Sequence, residues 1–362
     1  NVIGVPKTID GDLKNEYVEV SFGFDSATKV YSGLIGSIGA DLLSAKKYYH
    51  FVRLMGRSAS HITLEAGLQT HANVILVGEE VAAKKKTLKA ITEEICDVVC
   101  KRAELGKNYG LVLVPEGLVE FIPEVHDMLS ELNEILASCT PDQKPNQVEI
   151  AAKLSPACHA LFDYLPSDIQ QQLLLDRDPH GNVLVSRIET ERLVISTVSE
   201  ELRKRKSDGK YTGKFTAISH FFGYEGRSVM PSNFDCTYCY ALGHTVGALL
   251  ESGKTGLIAV VKDLSKNVNE WKPAGFPVSI MLHMEKRAGH MKPVIEKALV
   301  KLDGRPFKTL EKNRSVWEIG DYYRNPGPIQ YLGKTSNAVN FTLQLERNPN
   351  FEYDEGSLEK VE

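Results

Sequence analysis

Four short apolar runs, at 2–5, 48–55, 74–77 and 110–114, alternate with segments of helical periodicity, and this alternation leaves few folds open to the chain. Apolar residues recur at Ala27, Val30, Leu34, Ile38 and Leu42, which predicts a helix from Phe24 to Ala45 with Asp25 and Ser26 as candidate caps. Further helices are predicted from Ser58 or Ser60 to about Thr70, over 87–105 and over 122–136. Strands that alternate with helices are joined by right-handed crossovers, so the expected class is α/β, with doubly wound parallel sheets.

The alternation breaks over 138–214. Helical stretches at 156–162 and 166–175, a polar turn at 178–182, a short strand and a charged helix at 189–206 read as a helical insertion. The basic run 203–206 on that helix reads as a solvated face. The core resumes with a strand at 218–222, a helix at 238–251 capped by Asn233 or Asp235 and closed by Gly253, and a strand at 256–261. A helix is expected near 292–300, a proline-rich passage follows at 325–329, and the acidic stretch 351–362 is expected to be disordered. Gly33, Gly36 and Gly39 recur every three residues within the first helix. Their spacing is not that of a dinucleotide loop, and close packing explains it better.

Composition narrows the partners. The 362 residues suffice for about two domains, and a net charge of -4 offers neither a basic stripe for nucleic acid nor a polybasic patch for a membrane. No apolar run approaches the ~20 residues that span a bilayer, and no secretory signal is visible, although the chain opens on Asn1. Cys96, Cys100, Cys139, Cys158, Cys236 and Cys239 are too scattered for a disulfide framework, which fits a reducing cytoplasm, and the pairs Cys96/Cys100 and Cys236/Cys239 are expected to be buried thiols. No repeat, P-loop or nucleophile elbow occurs.

Chemistry concentrates in the stretch Pro6-Lys7-Thr8-Ile9-Asp10-Gly11-Asp12, which places a cation and two carboxylates in a loop at the carboxyl end of the first strand. An aspartate there can accept a hydroxyl proton, and a lysine can neutralise charge on a phosphoryl group in transfer. Taken alone, such a loop is more often a solvated turn. Convergence argues for chemistry, because Asp10, Arg57, the pair Glu79 and Glu80, and Glu116 fall at the carboxyl ends of four different strands. Tyr224-Glu225-Gly226-Arg227 follows a later strand and makes a plausible clamp for a sugar phosphate, since the guanidinium fork suits a phosphate and the ring can border the sugar.

In this order the segments Pro6–Asp12, Lys47-Tyr48, Met55-Gly56-Arg57, Pro115-Glu116-Gly117 and Tyr224–Arg227 resemble the long-type, pyrophosphate-dependent phosphofructokinases, with the nearest similarity to the catalytic beta subunit of the plant-type enzymes. The resemblance implies reversible phosphoryl transfer from pyrophosphate to the 1-hydroxyl of fructose 6-phosphate, with magnesium. Asp10 would be the proton acceptor, with Thr8 and Ile9 beside it, and Lys7 would stabilise the transition state. Met55, Gly56, Arg57 and Glu116 would hold the sugar, and Tyr224, Glu225, Gly226 and Arg227 its phosphate. Lys47 and Tyr48 would reach a neighbouring subunit's substrate, in a homo-oligomer or a heterotetramer with a regulatory subunit.

Asp12 is left open: it could orient Lys7 or an arginine, or meet the metal through water. The family's glycine-rich region with a Gly-Gly-Asp-Asp type motif has no counterpart in this sequence. The resemblance therefore implies an incomplete donor domain, with 1–15 and 215–265 as its remnants. Residues 16–137 and 266–350 would form the fructose 6-phosphate domain, with 138–214 inserted into it. The alternatives within the family are a regulatory subunit that binds fructose 2,6-bisphosphate and an ATP-dependent enzyme.

Overall fold

The computed structural model describes residues 1–137, 147–175, 183, 188–287 and 290–353. The elements run β1 (Ile3–Gly4), α1 (Phe24–Ala45), β2 (Tyr48–Leu54), α2 (His61–Thr70), β3 (Val74–Ile75), α3 (Gly78–Ala83), α4 (Leu88–Glu104), β4 (Tyr109–Pro115), α5 (Leu118–Phe121) and α6 (Pro123–Ala137). They continue with α7 (Gln147–Ala151), α8 (Pro156–Tyr164), α9 (Ser167–Leu175), α10 (Thr190–Ser207), β5 (Ala217–Phe222), α11 (Tyr224–Arg227), α12 (Asn233–Glu251), β6 (Leu257–Lys262), β7 (Lys272–Pro277), β8 (Leu282–Arg287), β9 (His290–Ile295), α13 (Arg305–Ile319) and α14 (Phe341–Arg347).

The larger sheet is parallel, in the order β3-β4-β2-β5. Its central strand β4 is buried along its whole length, as a continuous apolar run requires when helices cover both faces. Side chains alternate between the faces. Phe51, Val112 and Val114 point into one core cluster with α4, α6 and α10, whereas Val52, Leu54, Leu111 and Leu113 point into another with α1, α2 and α13. The helices expected to form an insertion, α7 to α10, thus help cover one face of this sheet. Arg53 fixes α10 there: its Nε lies 2.8 Å from the Glu191 carboxylate, its Nη1 donates to Ile188 O at 2.9 Å, and its guanidinium sits 4.0 Å from the centre of the Phe221 ring.

A smaller sheet, in the order β1-β6-β7, pairs β1 parallel to β6 and β7 antiparallel to it. Strand pairing divides the span 215–265, because β5 adds to the larger sheet beside β2 and only β6 joins β1. The two sheets share the core cluster that contains Phe234, Tyr238, Ala259 and Val261. A buried polar network fastens the helices between them. Gly23 opens α1 with no side-chain cap of its own, and the Asp235 carboxylate of α12 fills that role, accepting Gly23 N–H and Ser26 N–H at 2.8 Å each and the Ser26 hydroxyl. Asp25 in turn accepts the Ser232 hydroxyl at 2.7 Å, Lys29 Nζ at 2.6 Å and Asn340 N–H at 2.8 Å.

Several local expectations give way to tertiary contacts. Asp25 and Ser26 lie inside α1 rather than capping it. Ser60 precedes α2, but its hydroxyl accepts Gly78 N–H at 2.9 Å instead of a helix amide. The helix expected at 238–251 begins at Asn233 and is capped by Ser232, which frees Asp235 for α1. Residues 290–295 form β9 of an antiparallel hairpin, and the helix is α13, further along. Phe351 and Tyr353 pack against the core, so the tail is ordered at least that far, and 354–362 lie outside the described residues. Cys236 and Cys239 are exposed on α12, whereas Cys96 and Cys158 are buried and Cys100 is half-buried. Cys139 and the turn 178–182 lie outside the described residues. The glycine row of α1 does mark close packing, since a Cβ on Gly36 would fall 2.6 Å from Asn325 Cα. No helix among the described residues is long and apolar enough to cross a membrane.

Replacing Asp235 by Ala removes the acceptor of the Gly23 and Ser26 amides and the shorter of two contacts of the Ser26 hydroxyl, so Asp235→Ala is expected to destabilise the fold by about 2–4 kcal/mol. Chemical denaturation that finds a loss under about 0.5 kcal/mol, the range of an ordinary surface substitution, would show that the network does not hold the two sheets together.

Candidate active site

Loops from both sheets meet at the carboxyl ends of their strands. The loop after β1 turns on Thr8, whose Oγ1 accepts Asp10 N–H at 3.1 Å while Ser21 Oγ donates to Thr8 O at 2.7 Å. Arg57 follows β2, and the turn before it is set by Gly56 N–H, which donates to Glu116 Oε2 at 3.1 Å. Glu116 N–H in turn donates to Leu54 O at 2.9 Å, so the loops after β2 and β4 hold one another.

After β5, the Tyr31 hydroxyl of α1 donates to Gly223 O at 2.5 Å, and Gly223 N–H donates to Glu225 Oε2 at 2.8 Å. Gly226 lies flat against the buried Tyr31 ring, where a Cβ would come within 2.4 Å. The short turn α11 that results carries Arg227, with its guanidinium 5.8 Å from the Tyr224 ring centre.

The charges of these loops are coupled. Burial pushes the Asp10 carboxyl above its ordinary value and the charge of Asp12 pushes it further, while Arg57, Arg227 and Lys297 pull it back. Asp12 is likewise raised by burial, and Lys297 and Arg57 oppose the shift. Burial lifts Glu116 against the pull of Gly56 N–H, Arg53 and Arg57, with Asp10 adding to the rise. Tyr31 is raised by burial and feels Glu225, Asp10, Glu116 and Arg227 together. Asp10, Arg57, Glu116 and Arg227 therefore lie within reach of one another's charge, in a crevice between loops where β2, β4 and β5 end side by side and the loop after β1 meets them.

The structure sorts the other expected residues. Ile9 and Met55 face the crevice loops but pack partly into the core, and Met55 N–H donates to Phe222 O at 3.1 Å. Lys7 is exposed and joined to Phe22 by an isolated bridge. Lys47 and Tyr48 are exposed at the amino-terminal end of β2, roughly 20 Å along the strand from its carboxyl end, where the Arg57 loop begins, which leaves them outside this crevice. Glu79 and Glu80 do not join the site. Glu79 Oε1 accepts Ser60 N–H and Val300 N–H at 3.1 and 3.0 Å. Burial alone would lift Glu80, but the fork of Arg314 at 2.8 and 2.7 Å, with Lys84, holds its carboxyl down at about 2. Both glutamates bind structural partners.

Sequence reasoning missed Lys297 and Tyr31, and also Glu120, whose carboxyl is raised by burial against the pull of Lys297 and Arg57. Tyr31 sits on the buried face of α1, where an aromatic residue reads as core. Lys297 lies just beyond β9 and reaches the crevice only through the hairpin. No group of three or more His, Cys, Asp or Glu able to hold a metal occurs among the described residues.

Asp12→Asn removes the charge that raises Asp10, so the Asp10 carboxyl is expected to titrate at lower pH than in the parent. Carbon-13 NMR titration of the Asp10 carboxyl reads this directly, and an unmoved or rising midpoint would break the proposed coupling.

The phosphofructokinase family model matches residues 1–250. The beta subunit of pyrophosphate--fructose 6-phosphate 1-phosphotransferase from Solanum tuberosum is 57% identical over 345 residues, covering 95% of this chain and 60% of the relative. The enzyme of that name from Treponema pallidum (strain Nichols) is 52% identical over 356 residues, covering 96% and 62%. The alpha subunit from Solanum tuberosum is 44% identical over 352 residues, covering 95% and 56%. The chain thus spans about 60% of the length of the curated relatives it matches. With 250 of its residues matched by the family model and its strand-end loops gathered into one crevice, this chain belongs to the phosphofructokinase family.

Proposed function

We propose that this chain carries the sugar-phosphate site and the catalytic base of an enzyme that reversibly transfers a phosphoryl group from pyrophosphate to the 1-hydroxyl of fructose 6-phosphate. The observation that carries this reading is Asp10, a half-buried carboxylate with raised proton affinity within the field of Arg57 and Arg227. A raised carboxyl is the better base for a sugar alcohol, while the arginines suit a phosphate that would be repelled by Asp10 alone. Relatives named for pyrophosphate support the donor, and the higher identity to a beta than to an alpha subunit from the same plant supports a catalytic chain.

In the forward direction the sugar's 1-oxygen attacks the terminal phosphorus of pyrophosphate, the bridging P–O bond breaks and inorganic phosphate leaves, while Asp10 takes the hydroxyl proton. The reverse reaction returns that proton. Glu116, oriented by Gly56 N–H, would accept from the sugar's hydroxyls, and Arg57 and Arg227 would hold its phosphate. Lys7 would neutralise charge on the transferring group.

Magnesium would enter as an ion brought in with pyrophosphate, keeping most of its waters and meeting Asp12 through one of them, since no dedicated group of metal-holding carboxylates occurs among the described residues. It would lower the charge on the phosphate oxygens. Lys47 and Tyr48, far from this crevice, are suited to a partner subunit's site in a homo-oligomer or alpha–beta assembly, and the setting is a reducing cytoplasm.

In the full-length polypeptide, Asp10→Asn is expected to lower turnover by about 100- to 10,000-fold while fructose 6-phosphate affinity stays within about threefold. Undiminished turnover would remove Asp10 as the base. Efficient transfer from ATP, assayed beside pyrophosphate, would overturn the choice of donor.

A further inference from the structure

We infer that Lys297 contacts substrate, its ammonium binding a phosphate oxygen beside Asp10 and Asp12. This deepens the proposed function and rests on it. The backbone just after Lys297 is held at two points: Ala298 N–H donates to Asp12 O at 2.7 Å, and Val300 N–H donates to the Glu79 oxygen that also takes Ser60 N–H. His61 clamps the same peptide, its Nε2 lying 2.7 Å from Ala298 O. Burial drops the His61 imidazole to about 3, so it is neutral and Nε2–H is the donor in this contact. The short antiparallel hairpin β8–β9 leads directly into this segment, with Glu296 N–H donating to Met281 O at 2.9 Å.

With the main chain fixed in this way, the lysine side chain is not needed to hold the segment. It is exposed, and its ammonium donates to a neutral hydroxyl, that of Ser58 next to Arg57. A lysine with a purely structural role in so acidic a crevice would be expected to close onto a carboxylate, because a charged acceptor binds an ammonium more strongly than a hydroxyl does. Its field nevertheless reaches Asp10, Asp12 and Glu120, and among the charges that act on Asp12 it is the leading one. A phosphate arriving beside Asp10 needs a cation on the Asp12 side to offset the two carboxylates. Arg57 and Arg227 act on Asp10 from the loops after β2 and β5, and Lys297 acts from the segment after β9. Rotation about a flexible stem from Ser58 to a phosphate oxygen exchanges a neutral acceptor for a charged one.

The test uses the full-length polypeptide and three variants, Lys297→Met, Lys297→Arg and Ser58→Ala, titrated calorimetrically with fructose 6-phosphate and with pyrophosphate. Lys297→Met is expected to weaken one of the two by about 10- to 100-fold at an unchanged unfolding midpoint. The weakened ligand identifies which phosphate the ammonium meets. Lys297→Arg should recover most of the loss, and Ser58→Ala should stay within about twofold of the parent. Unchanged affinities for both ligands in Lys297→Met would overturn the assignment, as would an equal loss in Ser58→Ala, which would make Lys297 a tether for the Arg57 loop. A parent protein that binds neither ligand would instead overturn the proposed function, and this assignment with it.

Discussion

The Asp235 carboxylate is the contact on which the arrangement depends. It belongs to α12, which packs on the smaller sheet, yet it caps α1, which packs on the larger one. A capping interaction is normally local, within one helix and its own preceding residue. Here it bridges more than 200 positions of sequence, from Gly23 to Asp235, and so sets how the two sheets meet. The crevice exists because of that setting. Its acid comes from the loop after β1 in one sheet, and its arginines come from loops after β2 and β5 in the other.

Burial and charge then work against each other across the crevice. Asp10, Asp12 and Glu116 are all lifted by the loss of water around them, and Asp12 pushes Asp10, and Asp10 pushes Glu116, further in the same direction. Arg57, Arg227 and Lys297 hold the shifts in check. Such a balance suits chemistry in which a proton leaves an alcohol as negative phosphate approaches, because base and counter-charge are in position before the ligand arrives. Elsewhere, charges are neutralised outright. Glu80 is locked by Arg314, and Arg53 is sandwiched between Glu191 and the Phe221 ring. Those pairs brace the scaffold that keeps the crevice groups in place.

Much of the larger sheet could be read from the sequence, because its strands are short apolar runs and its helices carry a clear apolar stripe. The loops 6–12, 55–57 and 224–227 were legible too, since each pairs a glycine with charged residues just past a strand. The misreadings fall where local pattern and tertiary contact disagree. Glu79 and Glu80 follow a strand as the site residues do, but partners 220 to 240 positions away, Val300 and Arg314, claim them. Residues 290–295 lack a strand's alternation because the hairpin they form is largely exposed, and α13 went unseen because its buried face is narrow: Phe307, Leu310 and Trp317 among many charges.

What the sequence determined by itself was the repeating strand-and-helix plan and the identity of the acid, the arginines and the glycines at the strand ends, since periodicity and turn chemistry are properties of neighbouring residues. Only the tertiary structure decided which strands share a sheet, which carboxylates face a common crevice, and that Lys297 joins them. Those outcomes depend on contacts between residues hundreds of positions apart, and no local pattern in the chain encodes which distant group will take up a buried charge.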